Sequence, residues 1–280
     1  MIEFAPYLAV AFIYLWVAAD YWRSAKKQNN AKAPVANPRT GFGARLRWHT
    51  AIIAIGLLLH GGLLYHTLFN HGLNLGFANA LSAIFWLTVL IYWLTDLKQH
   101  LHSLQAFVLP PAAFFVILQK LMPETHVLPY AGLALFKVHL IIAMLAYSLF
   151  TFAALHALLM MVAERNLHRK PTLIQLPDFP PLLTMETLLF RVIGFGFLLL
   201  TFTLVTGVMF SEQIFGQAVK LNHKNIFTIL SWLIFGGLLL GRYSYGWRGR
   251  KAIRWTLSGF VVLLLAYAGS KFVLEVLLNR

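Results

Sequence analysis

The chain carries eleven histidines and no cysteine. Imidazole is the nitrogen ligand it can offer a metal, while thiolate ligation, Fe–S clusters, disulfides and thiol redox chemistry are closed to it. His60 lies in AIIAIGLLLHGGLLYHTLF. At 1.5 Å per residue, a position about eleven residues in from the charged edge of that run puts it near the middle of a bilayer. An ionisable group at that depth faces the bundle interior with a partner. Two partners fit the sequence: a hydroxyl or carbonyl on a neighbouring helix, or a haem or metal ion. Gly61 and Gly62 beside it let a flat ligand or another helix come close. His66, six residues on, falls roughly 240° around the helix, so one helix does not present both rings to one iron.

His139 opens the run FKVHLIIAMLAYSLFTFAALHALLMM beside Lys137, whose ammonium can snorkel to the interface. It reads as an interfacial histidine or an outer-face ligand. His223, in QAVKLNHKN, sits between two lysines in a polar segment, as a solvated side chain or a second outer ligand. His66, His71 and His126 fall at or beyond the same surface, and His49, His100, His102, His156 and His168 near the opposite one. There is no phosphate loop, no HExxH and no Ser/His/Asp arrangement, and the nine acids lie mainly at the ends of apolar runs. No catalytic residue is expected. A small-solute transporter calls for paired polar groups at mid-membrane and broken helices in matching halves; neither pattern is present.

The elements that must position these histidines are membrane helices. Only 11% of the residues are charged and 59% are hydrophobic, against about 25% charged in a soluble domain. Several apolar runs approach the roughly 20 residues needed to cross a bilayer core. Eight spans can be marked, about 4–22, 49–69, 76–94, 104–121, 138–162, 188–210, 226–241 and 253–276. The fold class is all-α, a polytopic helical bundle forming a single transmembrane domain over 1–280. No basic segment precedes the first run, which reads as a retained span rather than a cleaved signal. Sixteen lysines and arginines fall on one side of this layout and five on the other. The basic side is cytoplasmic, so both termini face outward. The net charge of +14 is then an orientation signal and a contact for anionic lipid, and nucleic acid is not an expected partner.

The basic cytoplasmic loop 23–47 is the one long polar connection and has the composition of a flexible linker. Four prolines in HRKPTLIQLPDFPPLLTMETLLF forbid a continuous helix before about Leu182, and Thr184 is placed to open one. Gly237 and Gly241 have the spacing of close helix packing, and Lys271 and Glu275 stand four residues apart, as a helical ion pair does.

Two stretches, FPPLLTMETLLFRVIGFGFLLLTFTLVTGVMF (179–210) and LSWLIFGGLLLGRYSYGWRGRKAIRWTLSGFVVLLLAYAGSKF (230–272), resemble the cytochrome c assembly protein family (CcsA-like, HemX-like). The likeness is nearest its short eight-span bacterial inner-membrane branch of YpjD type. KVHLIIAMLAYSLF is similar to the family's outer-histidine segment. The resemblance covers roughly 130–275, and the first three spans share mainly the layout and His60.

It implies a helical bundle that takes haem b from the cytoplasmic side. Intramembrane histidines hold it there, and an outer pair presents it to apocytochrome c or other biogenesis proteins. His60 matches the first intramembrane iron ligand and His139 the first outer one. The second intramembrane histidine is expected near GRYSYGW, where Arg242, Tyr243 and Ser244 stand. Arg242 and Arg248 are candidate propionate contacts there, and Tyr243 a candidate iron ligand. SEQIFGQAVKLNHKN lacks the family's tryptophans and KFVLEVLLNR its last histidine, which leaves His223 as the substitute outer ligand. The implied function is haem handling in cytochrome c assembly. The alternative is a membrane scaffold that keeps the fold without haem.

Overall fold

In the computed structural model, residues 4–30, 42–69, 73–99, 101–122, 133–168, 181–215 and 223–269 are described, and their regular structure is helical. The helices are α1 (Ala5–Asn30), α2 (Phe42–Phe69), α3 (Phe77–Gln99), α4 (Gln105–Leu121), α5 (Ala134–His168), α6 (Leu182–Phe215), α7 (His223–Tyr245) and α8 (Arg250–Leu264). A 3-10 turn, His102–Leu104, leads into α4, and α8 runs on as a π turn, Leu265–Gly269. Hydrocarbon offers no partner to a bare peptide group, so each segment satisfies its own backbone.

Among the described residues, six helices are long and apolar enough to cross a membrane: Trp48–Phe69, Phe77–Gln99, His102–Leu121, Ala134–Arg165, Leu182–Met209 and His223–Tyr245. α1 and α8 stand where the first and eighth spans are expected. α1 carries Asp20, Arg23, Lys26 and Lys27 in its second half, and α8 opens with Arg250, Lys251 and Arg254. α6 starts at Leu182, directly after the prolines. The middle of the basic loop, the proline-rich bend at 169–180, the segment 216–222 and the pair Lys271 and Glu275 lie outside the described residues.

The helices close two four-membered rings. α1 packs on α2 and α4, and α3 packs on α2 and α4; α5 packs on α6 and α8, and α7 packs on α6 and α8. α3 against α5 joins the rings. Since lipid is as apolar as leucine, packing and interhelical hydrogen bonds select these partners. Trp86 and Trp93 of α3 donate their indole N–H groups to the carbonyls of Leu57 and Thr50 on α2, at 2.8 and 2.9 Å. At the junction of the rings Ser148 of α5 donates to Ile84 O of α3 at 3.1 Å. In the second ring Trp232 donates to Thr201 and Ser231 to Gly259 O. Phe150 and Phe235 stack across the centre of that ring, with centroids 3.9 Å apart. Gly259 admits them, for a Cβ there would come within 2.9 Å of Phe235.

Candidate functional site

His60 is fully buried inside the first ring. Its Nε2 lies 3.0 Å from Ser82 Oγ on α3 and its Nδ1 3.4 Å from the Tyr14 hydroxyl on α1. The hydrogens can be assigned from the rest of the chain of bonds. Ser82 spends its proton on Gln119 Oε1 at 2.7 Å, and Gln119 Nε2 donates to Thr67 Oγ1 at 2.7 Å. Thr67 in turn donates to Leu63 O. Ser82 can therefore only accept from His60, which fixes the Nε2–H tautomer and turns the Nδ1 lone pair to Tyr14. One directed network thus ties α1, α2, α3 and α4. A haem ligand needs that lone pair, and the space on its side is occupied. Tyr14 is fully buried, and its ring stands 2.8 Å from where a Cβ on Gly56 would be. The inner histidine as folded does not fit iron; it acts as an interhelical tie. Gly61, expected to admit a flat ligand or a helix, admits Trp86, whose ring lies 3.2 Å from the position of an added Cβ, while Gly62 faces open space.

His139 belongs to the second ring and does not meet His60. Its Nδ1 lies 2.7 Å from Thr206 Oγ1 on α6. Thr206 gives its own proton to Phe202 O, also at 2.7 Å, so the ring must donate from Nδ1 and carry its lone pair on Nε2. A histidine with one N–H anchored and the other nitrogen basic is the form that ligates metal. Gly207 passes the edge of the ring, its Cβ position 3.7 Å from Cε1. Lys224 acts on the imidazole electrostatically, and exposed His223 is its neighbour at the start of α7. The structure thus brings the two outer histidines to one end of the α5, α6 and α7 group.

The opposite end of that ring is closed by the GRYSYGWRGR turn between α7 and α8. Arg242 Nη1 donates to Glu186 Oε1 of α6 at 2.7 Å and to Trp247 O at 3.2 Å, with its guanidinium over the Phe190 ring. The Gly249 N–H faces Glu186 Oε2 at 3.4 Å, and Arg248 Nε lies 3.5 Å from Oε1. Gly246 and Gly249 take φ of 64° and 53°, a region that L side chains avoid. Trp247 folds back onto Gly241, where a Cβ would collide with it. Arg242 is therefore committed to Glu186, and Arg248 is the more exposed cation, its side chain 60% accessible. Tyr243, 91% exposed, points away from the bundle and does not join His60.

Glu186, Tyr14, Ser82 and Gln119 carry weight that the sequence reading missed. Each is a polar residue within an apolar run, and that interruption is the signal that marks them. His156 is another: fully buried, it donates from Nε2 to Met185 O at 2.9 Å. An apolar groove of about 510 Å³ opens between α2, α3 and α5, lined by Gly61, Leu64, Trp86, Ile141 and Met144 among others; no histidine lines it. No group of three or more His, Cys, Asp or Glu able to hold a bare metal ion occurs among the described residues.

The profile of the family described as Cytochrome C assembly protein matches residues 48–278. The chain is 27% identical over 208 residues to the inner membrane protein YpjD of Escherichia coli K12, covering 74% of this chain and 78% of that protein. It is 25% identical over 198 residues to the cytochrome c biogenesis protein CcsA of Guillardia theta, covering 63% and 66%. The CcsA of Microcystis aeruginosa shares 35% identity over 86 residues, 31% of this chain and 26% of that one. No solved structure matches the chain significantly. With a profile match over residues 48–278 of 280, and six apolar helices among the described residues to cross the bilayer, the chain is a multi-pass membrane protein that belongs to the cytochrome c assembly protein family.

Proposed function

We infer that this is a haem-handling assembly factor of the bacterial inner membrane, which holds haem b at the outer end of its second helical ring. His139 would supply an iron ligand, with His223, next to Lys224 in the chain, as the second outer candidate, and the site would present haem to apocytochrome c or another biogenesis protein. The observation that carries this reading is the His139–Thr206–Phe202 relay, because it leaves the Nε2 lone pair as the basic one. Bound haem supplies a Lewis-acidic iron that an imidazole nitrogen can ligate. Thr206 orients the ring. Lys224 places positive charge beside it, the sign that haem carboxylates pair with. At the cytoplasmic end, Arg248 is the candidate propionate contact, while Arg242 is held by Glu186. The chain binds and positions; thioether formation draws on thiols of the client, since this chain has none.

A reduced-minus-oxidised spectrum of the detergent-purified protein, with and without added hemin, tests the proposal. A Soret band that is lost in His139→Ala supports it. A wild-type protein that stays colourless after hemin addition supports the scaffold reading, which the hydrogen-bonded closure of His60 favours for the first ring.

A further inference from the structure

Six buried side-chain polar atoms have no hydrogen-bond partner among the described residues, and five of them are close in the chain: the Tyr92 hydroxyl, Asp96 Oδ1, Gln99 Oε1, the Ser103 hydroxyl and Gln105 Oε1. Tyr92, Asp96 and Gln99 share one face of α3 by their spacing. Ser103 and Gln105 follow in the turn into α4. Three contacts join some of these groups into two short chains. Asp20 Oδ2 on α1 lies 3.0 Å from His49 Nε2 on α2. His49 Nδ1 lies 3.5 Å from Gln105 Nε2. His102, three residues before Gln105, places Nδ1 3.1 Å from Asp96 Oδ2. Asp96 and Tyr21 both act electrostatically on Tyr92, and Tyr21 adjoins Asp20.

Buried polar atoms without partners cost about 1–3 kcal/mol each, so five between Tyr92 and Gln105, at one end of α3 and the turn into α4, point to a guest. Asp96 Oδ1, Gln99 Oε1 and Gln105 Oε1 can only accept, and the Tyr92 and Ser103 hydroxyls bring one proton each. That set is short of donors, and the carboxylates of Asp20 and Asp96 disfavour an anion. A guest that accepts electron pairs and carries positive charge satisfies it. Oxygen donors suit a hard cation. Just one carboxylate oxygen stands among the unpaired atoms, beside neutral amide and hydroxyl oxygens. Such a low ligand charge suits a monovalent ion better than a divalent one.

We propose that the unpartnered oxygens between Tyr92 and Gln105, flanked by the Asp20–His49–Gln105 and Asp96–His102 chains at the basic end of α1 to α4, are a binding site for a monovalent metal cation of the Na⁺ or K⁺ class. The ion is held by Asp96 Oδ1, the amide oxygens of Gln99 and Gln105 and the hydroxyls of Tyr92 and Ser103. It clamps the first ring at the end opposite the Thr67 terminus of the His60 network, and this assignment is independent of the haem reading.

The test is thermal unfolding of the full chain in detergent at constant ionic strength, with choline chloride replaced stepwise by NaCl, KCl or MgCl₂, and equilibrium binding of ⁸⁶Rb⁺. The wild type is expected to bind about one Rb⁺ per chain, displaceable by K⁺ or Na⁺ and not by choline, and its midpoint to rise saturably with the monovalent salts. Asp96→Asn and Gln99→Leu should raise the half-saturating concentration about tenfold or more, while Glu164→Gln, in the second ring, leaves it unchanged. Absence of Rb⁺ binding by the wild type would overturn the proposal whatever the variants do. So would equal midpoints in choline and the monovalent salts, or a response to Mg²⁺ alone.

Discussion

A methyl group on Gly241 would enter the indole of Trp247. Overpacking of that kind costs about 1–3 kcal/mol, so Gly241→Ala should lower the unfolding midpoint measurably in a dye-based or intrinsic-fluorescence melt, and Gly241→Leu lower it further. His60 is the other residue whose substitution is telling. His60→Ala strands the Ser82 acceptor and the Tyr14 hydroxyl in a buried network, and interhelical bonds in membranes average about 0.6 kcal/mol each. A destabilisation of about 1–3 kcal/mol is expected from two lost bonds and a small cavity. Ser82→Ala should reproduce much of it, because it cuts the same relay toward Gln119. The depth of His60 was legible from the length of its apolar run. Its partner was not, since nothing in AIIAIGLLLHGG indicates which hydroxyl on which helix faces the ring.

The GRYSYGWRGR turn shows what a short element encodes. Its two left-handed glycines, the Gly241 notch and the Arg242 bond to the Trp247 carbonyl make a reading frame that tolerates few substitutions. That is a physical reason for this turn to carry the family resemblance. Its buried anchor is Glu186, and removing one partner of a paired charge costs more than removing both. Glu186→Gln is therefore expected to destabilise by about 1–3 kcal/mol, the cost of a buried group left without its partner, since the partial exposure of Arg242 keeps it below a fully buried pair. Glu186→Gln with Arg242→Gln should be less damaging than the sum of the singles, in a denaturation cycle read by circular dichroism. At this scale the sequence was informative: α4 begins within a residue of its expected position and α6 just past the prolines. The helices overrun the apolar windows, as α5 does to His168, because a helix continues into water with polar residues once the hydrocarbon ends.

The whole molecule is two closed rings joined through α3 and α5, and this was illegible in the chain. Helix pairing depends on which notches and hydroxyls meet, such as Gly259 with Phe235 or Ser148 with Ile84 O, and these contacts span 24 to 64 positions with no sequence periodicity to announce them. The charge asymmetry does make a claim about the whole, with α7 running from the outer face inward. The chain has no cysteine, so single replacements report topology cleanly. Cysteine in place of His223 should react with an impermeant maleimide in intact cells, and cysteine in place of Ser244 only after permeabilisation; the reverse pattern would invert the orientation.

Iron is assigned to the outer histidine, and the inner one to tying helices together. Hemin titration and thermal unfolding of the same His139→Ala and His60→Ala preparations test it most directly. His139→Ala should lose at least about tenfold in hemin affinity, the loss of one ligand bond of roughly 1.4 kcal/mol or more, with its apo unfolding midpoint near that of the wild type. His60→Ala should keep its hemin affinity and unfold at a lower temperature. Hemin binding that vanishes in His60→Ala and persists in His139→Ala, at unchanged midpoints, would contradict it.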